Sequence, residues 1–232
     1  MNEKNPVSAS ALCNAFELGR DGVYRCSAFA QFPWLRHGFG SRVANPPVHL
    51  TLRQIHSDVV RNARGLEDRE AEGDALVTDE IGRAIGVRTA DCVPILLLDR
   101  SKRAVGAVHA GWRGTAAGIV PQAIRTLQAE FGSELDDIFA AIGPCIRQCC
   151  YEVGPEVAER FADTFTTQSS QPGKWQLDIA AANLAQVIET GISPHCIFDF
   201  GACTVCRAED FFSFRREPDD PGRMISSIQR LA

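Results

Sequence analysis

The most constraining feature of this chain is a pair of apolar runs separated by a short polar stretch. Val93-Pro94-Ile95-Leu96-Leu97-Leu98 is strand-sized and apolar at every position, the pattern of a strand buried on both faces. Asp99-Arg100-Ser101-Lys102-Arg103 forms a polar turn, and Ala104-Val105-Gly106-Ala107-Val108-His109 returns as a second buried strand, completing a hairpin. Further strands are expected at Ala75–Thr78, Ala84–Thr89, Ile138–Ile142, Cys196–Phe200, Phe211–Arg215 and Met224–Ile228, with an N-terminal pair at Val23–Cys26 and His37–Gly40. Ala116, Ile119, Val120, Ala123, Ile124, Leu127 and Phe131 repeat at helical spacing, and Gly132 closes that helix. Pro155–Phe165 reads as a shorter helix, and Asp178 caps a third whose stripe runs from Ala180 to Ile188 before Gly191. Strands mixed with helices grouped in the second half indicate an α+β or mixed α/β domain rather than a regular βαβ repeat.

At 232 residues, with no linker, charge block or internal repeat, the chain is expected to be one domain over 1–232. The net charge of −5 and the lack of a basic run argue against a nucleic-acid or membrane partner. Met1-Asn2-Glu3-Lys4-Asn5-Pro6 leads into no apolar stretch of signal-peptide length, so the cytoplasm is the expected location. In that reducing compartment the nine cysteines are expected to be thiols or ligands.

Chemistry concentrates in Thr89-Ala90-Asp91-Cys92-Val93-Pro94 and Val108-His109-Ala110-Gly111-Trp112-Arg113-Gly114. If the hairpin forms, Cys92 and His109 share one end of the sheet, where a site is held rigidly and remains open to solvent. His56, in the strand-like segment Gln54–Val60, is a third donor that could converge on them. Two imidazoles and a thiolate suit zinc or copper and leave a coordination position open. Taken singly, a buried cysteine is usually a small hydrophobe and a strand histidine a hydrogen-bonded core residue, so spacing alone leaves both readings standing.

In combination these segments resemble a known family. Q-x-H-x-x-x-V at Gln54–Val60, G-D-A at Gly73–Ala75, T-A-D-C-x-P at Thr89–Pro94 and V-H-A-G-W-R-G at Val108–Gly114 are similar to motifs of the YfiH-like proteins. So are I-G-P-C at Ile142–Cys145, Y-E-V-G at Tyr151–Gly154, F-F-S-F-R-R at Phe211–Arg216 and G-R-M at Gly222–Met224, in order from about His37 to Ile228. Those proteins are often labelled laccase-domain or polyphenol oxidase and are now regarded as purine nucleoside phosphorylases. The resemblance implies a compact α/β sandwich and a zinc site of His56, Cys92 and His109. It also implies phosphorolysis of adenosine, inosine and methylthioadenosine to base and ribose 1-phosphate, with adenosine deamination as a second activity.

On that footing purine nucleosides and phosphate are the expected partners, and the chain is expected to be a monomer or homodimer. Catalytic roles go to Asp91, Cys92, His109 and Arg42, and substrate contacts to Arg42, Asp74, Arg113 and Cys145. Arg42 matches the family's S-x-R segment and is the choice for phosphate. Arg113, at the mouth of a helix, serves either the same anion or a tight turn. Asp91 orients a ligand, acts as acid or base, or caps a strand end, and Asp74 meets ribose hydroxyls or shapes the Gly73 turn. Cys145 borders the pocket. Cys149 and Cys150 read as packing residues, and Cys203-Thr204-Val205-Cys206 as half of a zinc knuckle with no second pair. Phe211, Phe212 and Phe214 read as core or pocket wall, and Arg215 and Arg216 as side chains within reach of an anion. The chain departs from the family between Val43 and Arg53, where members carry a longer stretch; Arg53 is the candidate to replace an arginine lost there.

Three other functions compete. Copper at the same centre would make a polyphenol oxidase, although five histidines are too few for a four-copper assembly. A closed four-ligand site would make a non-enzymatic, metal-stabilised binding module. Cys92 with His109 could also serve a thiol hydrolase.

Overall fold

In chain order the strands are β1 (Phe16–Leu18), β2 (Tyr24–Cys26), β3 (Leu35–Phe39), β4 (Val60–Asn62), β5 (Ala75–Thr78), β6 (Ala84–Thr89), β7 (Val93–Asp99) and β8 (Val105–Ala110). They continue as β9 (Ile138–Ile142), β10 (Glu152–Val153), β11 (Thr166–Gln168), β12 (Trp175–Leu177), β13 (Ile197–Asp199) and β14 (Met224–Arg230). The helices are α1 (Trp112–Ala117), α2 (Ile119–Phe131), α3 (Pro155–Ala158) and α4 (Ile179–Glu189). The computed structural model describes residues 15–219 and 222–232, so the expectation for Met1–Pro6 lies outside the described residues.

The hairpin sits at the centre of a six-stranded sheet ordered β13-β9-β7-β8-β5-β4. Its two faces explain its unbroken apolar sequence. Val93, Ile95 and Leu97 of β7 point with Val108, Ala75 and Ile142 toward Ile119, Val120, Ala123, Ile124 and Leu127 of α2 and Ile179 and Val187 of α4. The alternate residues Leu96, Leu98, Val105 and Ala107 point the other way, against Phe39, Ile85, Phe211 and Ile228. Phe39, Ile85 and Ile228 belong to a five-stranded sheet, β1-β2-β3-β14-β6, stacked on the first. Period-two alternation on a strand with no polar face thus requires a layer on each side, and the result is helices, sheet, sheet. A three-stranded sheet, β10-β12-β11, lies apart in hydrogen bonding from both.

Several local expectations change. The helix read as continuous is two: α1 starts at Trp112, and Gly118 (φ 82°, ψ 38°) turns the chain before α2. Only Pro155–Ala158 of the second expected helix is α-helical; Asp163–Phe165 forms a single 3₁₀ turn, and Thr166–Gln168 then pairs with β12. Phe211–Arg215 is not a strand. Its N–H groups are taken by the Arg207 carbonyl (3.0 Å, from Phe211), the Met224 sulfur (3.1 Å, from Phe212) and the Asp91 carboxylate (2.7 Å, from Arg215) instead of a ladder. His56 likewise lies in a loop before β4, with φ 58°.

Candidate metal centre and the cavity it opens into

The hairpin register sets the first two ligands. Pro94 lies opposite His109 in the β7–β8 pairing. Cys92 is two residues before Pro94, so continuing the alternation brings its side chain to the face and edge that carry His109. Asp74, just before β5, accepts the His109 backbone N–H at 2.7 Å through its carbonyl, and its carboxylate Oδ1 lies 2.8 Å from His109 Nδ1. The Asp74 carboxylate can only accept, so that bond assigns a proton to Nδ1 and leaves Nε2 as the nitrogen that could meet a metal.

The same carboxylate places the third ligand. Asp74 accepts N–H bonds from Ile55 (3.3 Å), His56 (3.0 Å) and Ser57 (2.6 Å) and the Ser57 hydroxyl at 2.7 Å. These bonds hold His56 in the left-handed region, which a non-glycine residue occupies at a strain of order 1 kcal/mol. Burial raises the Asp74 pKa, but the bonds from His109 and Ser57 outweigh it and keep the carboxylate at about 2. Gly114 lets α1 approach: a Cβ there would stand 2.8 Å from the Ser57 carbonyl.

The donor atoms of His56, Cys92 and His109 lie within 4.8 Å of one another, and Cys92 Sγ is 4.0 Å from His56 Nε2. Bonds of about 2.3 Å to sulfur and about 2.0 Å to nitrogen span that separation through one ion. The two imidazoles meet edge to face, centroids 4.9 Å apart. Burial raises the Cys92 pKa, but His109 and His56 overcome it and bring the thiol down to about 6, so the ligand form is present at neutral pH. Burial lowers the His109 pKa, but the Cys92 thiolate and Asp74 outweigh it and raise it to about 9, so a metal would displace the Nε2 proton on binding. A soft thiolate, two imidazoles and a carboxylate behind one of them fit a tetrahedral transition-metal site with one position left over.

His56, Cys92 and His109 together line a cavity of about 600 Å³. Arg69, Arg88, Arg113, Arg215 and Arg223 line it, and Trp112, Tyr151 and Phe214 supply aromatic surface. Arg113 stacks over Trp112 at 4.4 Å, and Arg215 lies 5.4 Å from the Tyr151 ring and donates to the Glu152 carbonyl at 2.9 Å. The only carboxylate among the lining residues is Asp91. It is occupied: Thr204 and Ser213 hydroxyls donate to it at 2.6 and 3.0 Å, and the Arg215 N–H at 2.7 Å. A chain of net charge −5 therefore presents a cationic cavity.

Placement revises several expected roles. Arg42 is outside the cavity lining; it pairs with Glu217 at 2.8 Å and lies over Phe212 at 4.6 Å, so the phosphate contact expected of it is not supported. Asp74 is fully buried with both oxygens engaged, and holds the histidines rather than ribose hydroxyls. Cys145 is fully buried in the helix-side core, where burial pushes its thiol up to about 12, and it does not border the cavity. Asp91 reaches the lining at φ 91° as a tie between loops. Arg53 pairs with Glu72 at 3.9 Å, away from the cavity. Arg113 is in place. Arg69, Arg88 and Arg223 also line the cavity with no role expected of them, although Arg88 directly precedes the T-A-D-C motif and Arg223 is the arginine of G-R-M.

Residues 36–231 match a family model described as multi-copper polyphenol oxidoreductase laccase. A purine nucleoside phosphorylase of Clostridium acetobutylicum is 40% identical over 180 residues, covering 76% of this chain and 75% of its own length. A protein from an unknown prokaryotic organism, named adenosine deaminase RL5, is 39% identical over 193 residues, with 77% and 73% covered. In two further relatives with phosphorylase names the match covers 60% of their length. The crystal structure of Bacillus licheniformis hypothetical protein YfiH superposes with a TM-score of 0.84 at 25% identity, covering 94% of this chain and all of that one.

Proposed function

The chain belongs to the multi-copper polyphenol oxidoreductase laccase family, and from that premise we propose that it is a zinc-dependent purine nucleoside phosphorylase with adenosine deamination as a second activity. Relatives carrying both names support the nucleoside as substrate. The observation that carries the reading is a three-donor centre opening into a cavity walled by arginines and aromatic rings.

Phosphorolysis forms a bond from a phosphate oxygen to the ribose C1′ as the C1′–N9 bond breaks, and its electron pair leaves with the purine. It needs an anion held at fixed distance from an oriented sugar and a surface for the base. Arg113 and Arg215 are the arginines assigned to the phosphate, since each rests on an aromatic ring that fixes its plane. Tyr151 and Phe214 offer faces against which a purine stacks. When bound at His56, Cys92 and His109, zinc supplies a Lewis acid with an open coordination position. Asp74 keeps the His109 proton on Nδ1 throughout.

Incubating zinc-loaded protein with adenosine, inosine and methylthioadenosine, with and without phosphate, tests the proposal. Free base and ribose 1-phosphate should appear only with phosphate; their absence would sink it. The family description favours a second reading, copper oxidation of phenols at the same centre. Two of the remaining histidines are committed elsewhere: His37 accepts the Cys26 N–H at 3.0 Å and His49 the Ala84 N–H at 3.1 Å. No imidazole cluster of laccase type is therefore available among the described residues. Metal content of protein purified without added copper separates the two.

A further inference from the structure

Four cysteines outside the metal centre come together where the sequence reading found only half a site. Cys149 and Cys150, read as packing residues, lie in the turn after β9, and Cys203 and Cys206 in the turn after β13. The four sulfurs lie within 4.8 Å of one another. Cys206 Sγ is 3.7 Å from Cys149 Sγ and 3.4 Å from Cys150 Sγ. A disulfide would need about 2.05 Å. Four thiolates at about 2.3 Å from one ion stand about 3.8 Å apart along each edge of their tetrahedron. The observed separations match the second arrangement.

The surrounding backbone is built for it. Cys145 and Cys203 form a parallel bridge, the Thr204 N–H donates to the Cys145 carbonyl at 3.0 Å, and Arg147 pairs with Asp199 at 2.5 Å. Cys203 is buried while Cys149 and Cys206 are exposed, so an ion has a path in from solvent.

We propose that Cys149, Cys150, Cys203 and Cys206 bind a second zinc ion in an all-thiolate site. With four protein ligands and no open position the site is structural. None of the four lines the cavity, yet one of the segments they join contributes to its lining and the other supports a lining residue. The first provides Ile146 and Tyr151, and the second provides Thr204, whose hydroxyl holds Asp91 at 2.6 Å. The ion would thus tie the Ile146–Tyr151 wall of the cavity to the turn that holds Asp91. This site is independent of the nucleoside reading, and its test counts metal rather than turnover.

The full chain, purified with reductant from zinc-supplemented cells, should carry two zinc ions, and a Cys92→Ser variant one. Cobalt substituted into Cys92→Ser should show the intense sulfur-to-cobalt charge-transfer absorption of a four-thiolate site. Adding Cys203→Ser and Cys206→Ser should abolish that absorption and lower the unfolding temperature. Should that variant fail to fold, X-ray absorption at the zinc edge of Cys92→Ser should show an all-sulfur shell. A single zinc in the wild-type chain, none in Cys92→Ser, iron in place of zinc, or a disulfide between Cys206 and Cys149 or Cys150 would overturn the assignment.

Discussion

Asp74 has five groups around two carboxylate oxygens, and through them it sets the tautomer of His109 and the backbone of His56. Asp74→Asn keeps the shape but replaces an acceptor with an amide that must turn an N–H toward other N–H donors. Zinc affinity should fall about 10–100-fold, the usual effect of losing a partner behind a metal-bound histidine; competition with a chromophoric chelator measures it, and unchanged affinity would remove Asp74 from this role. Gly111 is a second single-residue control. Its φ of −75° suits any residue, yet a Cβ there would stand 2.9 Å from His56 Cδ2 and 3.1 Å from Cys92 Sγ. Gly111→Ala should weaken zinc binding about tenfold or more by displacing two ligands, with helix content by circular dichroism unaltered. The motif H-A-G-W-R-G displays this glycine in the sequence, but only the fold shows what stands next to it.

At the level of elements, breaks in regular structure position the functional groups. Gly118 ends α1 in a left-handed turn so that α2 can run across the sheet. In Gly118→Ala the new Cβ meets Pro121 Cγ at an ordinary 3.5 Å, which leaves only the backbone penalty. Stability to urea should drop by about 1–2 kcal/mol while zinc content stays the same. The loop after Phe211 is the other case. Tied to Asp91, it delivers Phe214, 54% exposed, and Arg215 to the cavity. Arg215→Met keeps that backbone tie and removes the cation. If Arg215 binds phosphate through charged hydrogen bonds of about 1.5–3 kcal/mol, KM for phosphate should rise about 10–100-fold. Steady-state kinetics at saturating nucleoside would read this, and an unchanged KM would release Arg215 from the phosphate. Regular periodicity gave no sign of either break, because glycine conformations and loop contacts depend on neighbours distant in sequence.

For the molecule as a whole, His37 links stability to pH. It sits on β3 in the sheet-to-sheet core beside Phe29, 6% exposed, and burial with the charge of Arg25 holds its pKa at about 4. The unfolded chain regains a value of about 6.5, so below that pH it binds a proton that the folded chain refuses. Stability is therefore complete above about pH 6.5 and should fall by about 3 kcal/mol as pH drops through the interval to about 4. Urea midpoints at about pH 7.5 and about pH 4.5, compared with those of His37→Gln, isolate this contribution; an equal loss in the variant would assign it to other groups.

The strands and the convergence of Cys92 and His109 were legible in the sequence because both are local or periodic signals, whereas the choice of His56 as a third donor rested on the resemblance to a family. β5, β6 and β9 follow the expected bounds; β9 is apolar throughout, as a strand buried on both faces must be, whereas β6 carries the exposed Arg88. Cys92 and His109 follow from a hairpin whose register two adjacent apolar runs define. The tertiary structure alone decided which charges meet. It gave Arg42 to Glu217, closed Asp74 behind the histidines, buried Cys145, turned five arginines into one cavity and brought two cysteine pairs into a single cluster. Long side chains on loops carry no periodicity. Their partners are chosen by which loops the sheets bring side by side, and that is fixed only when the three layers pack.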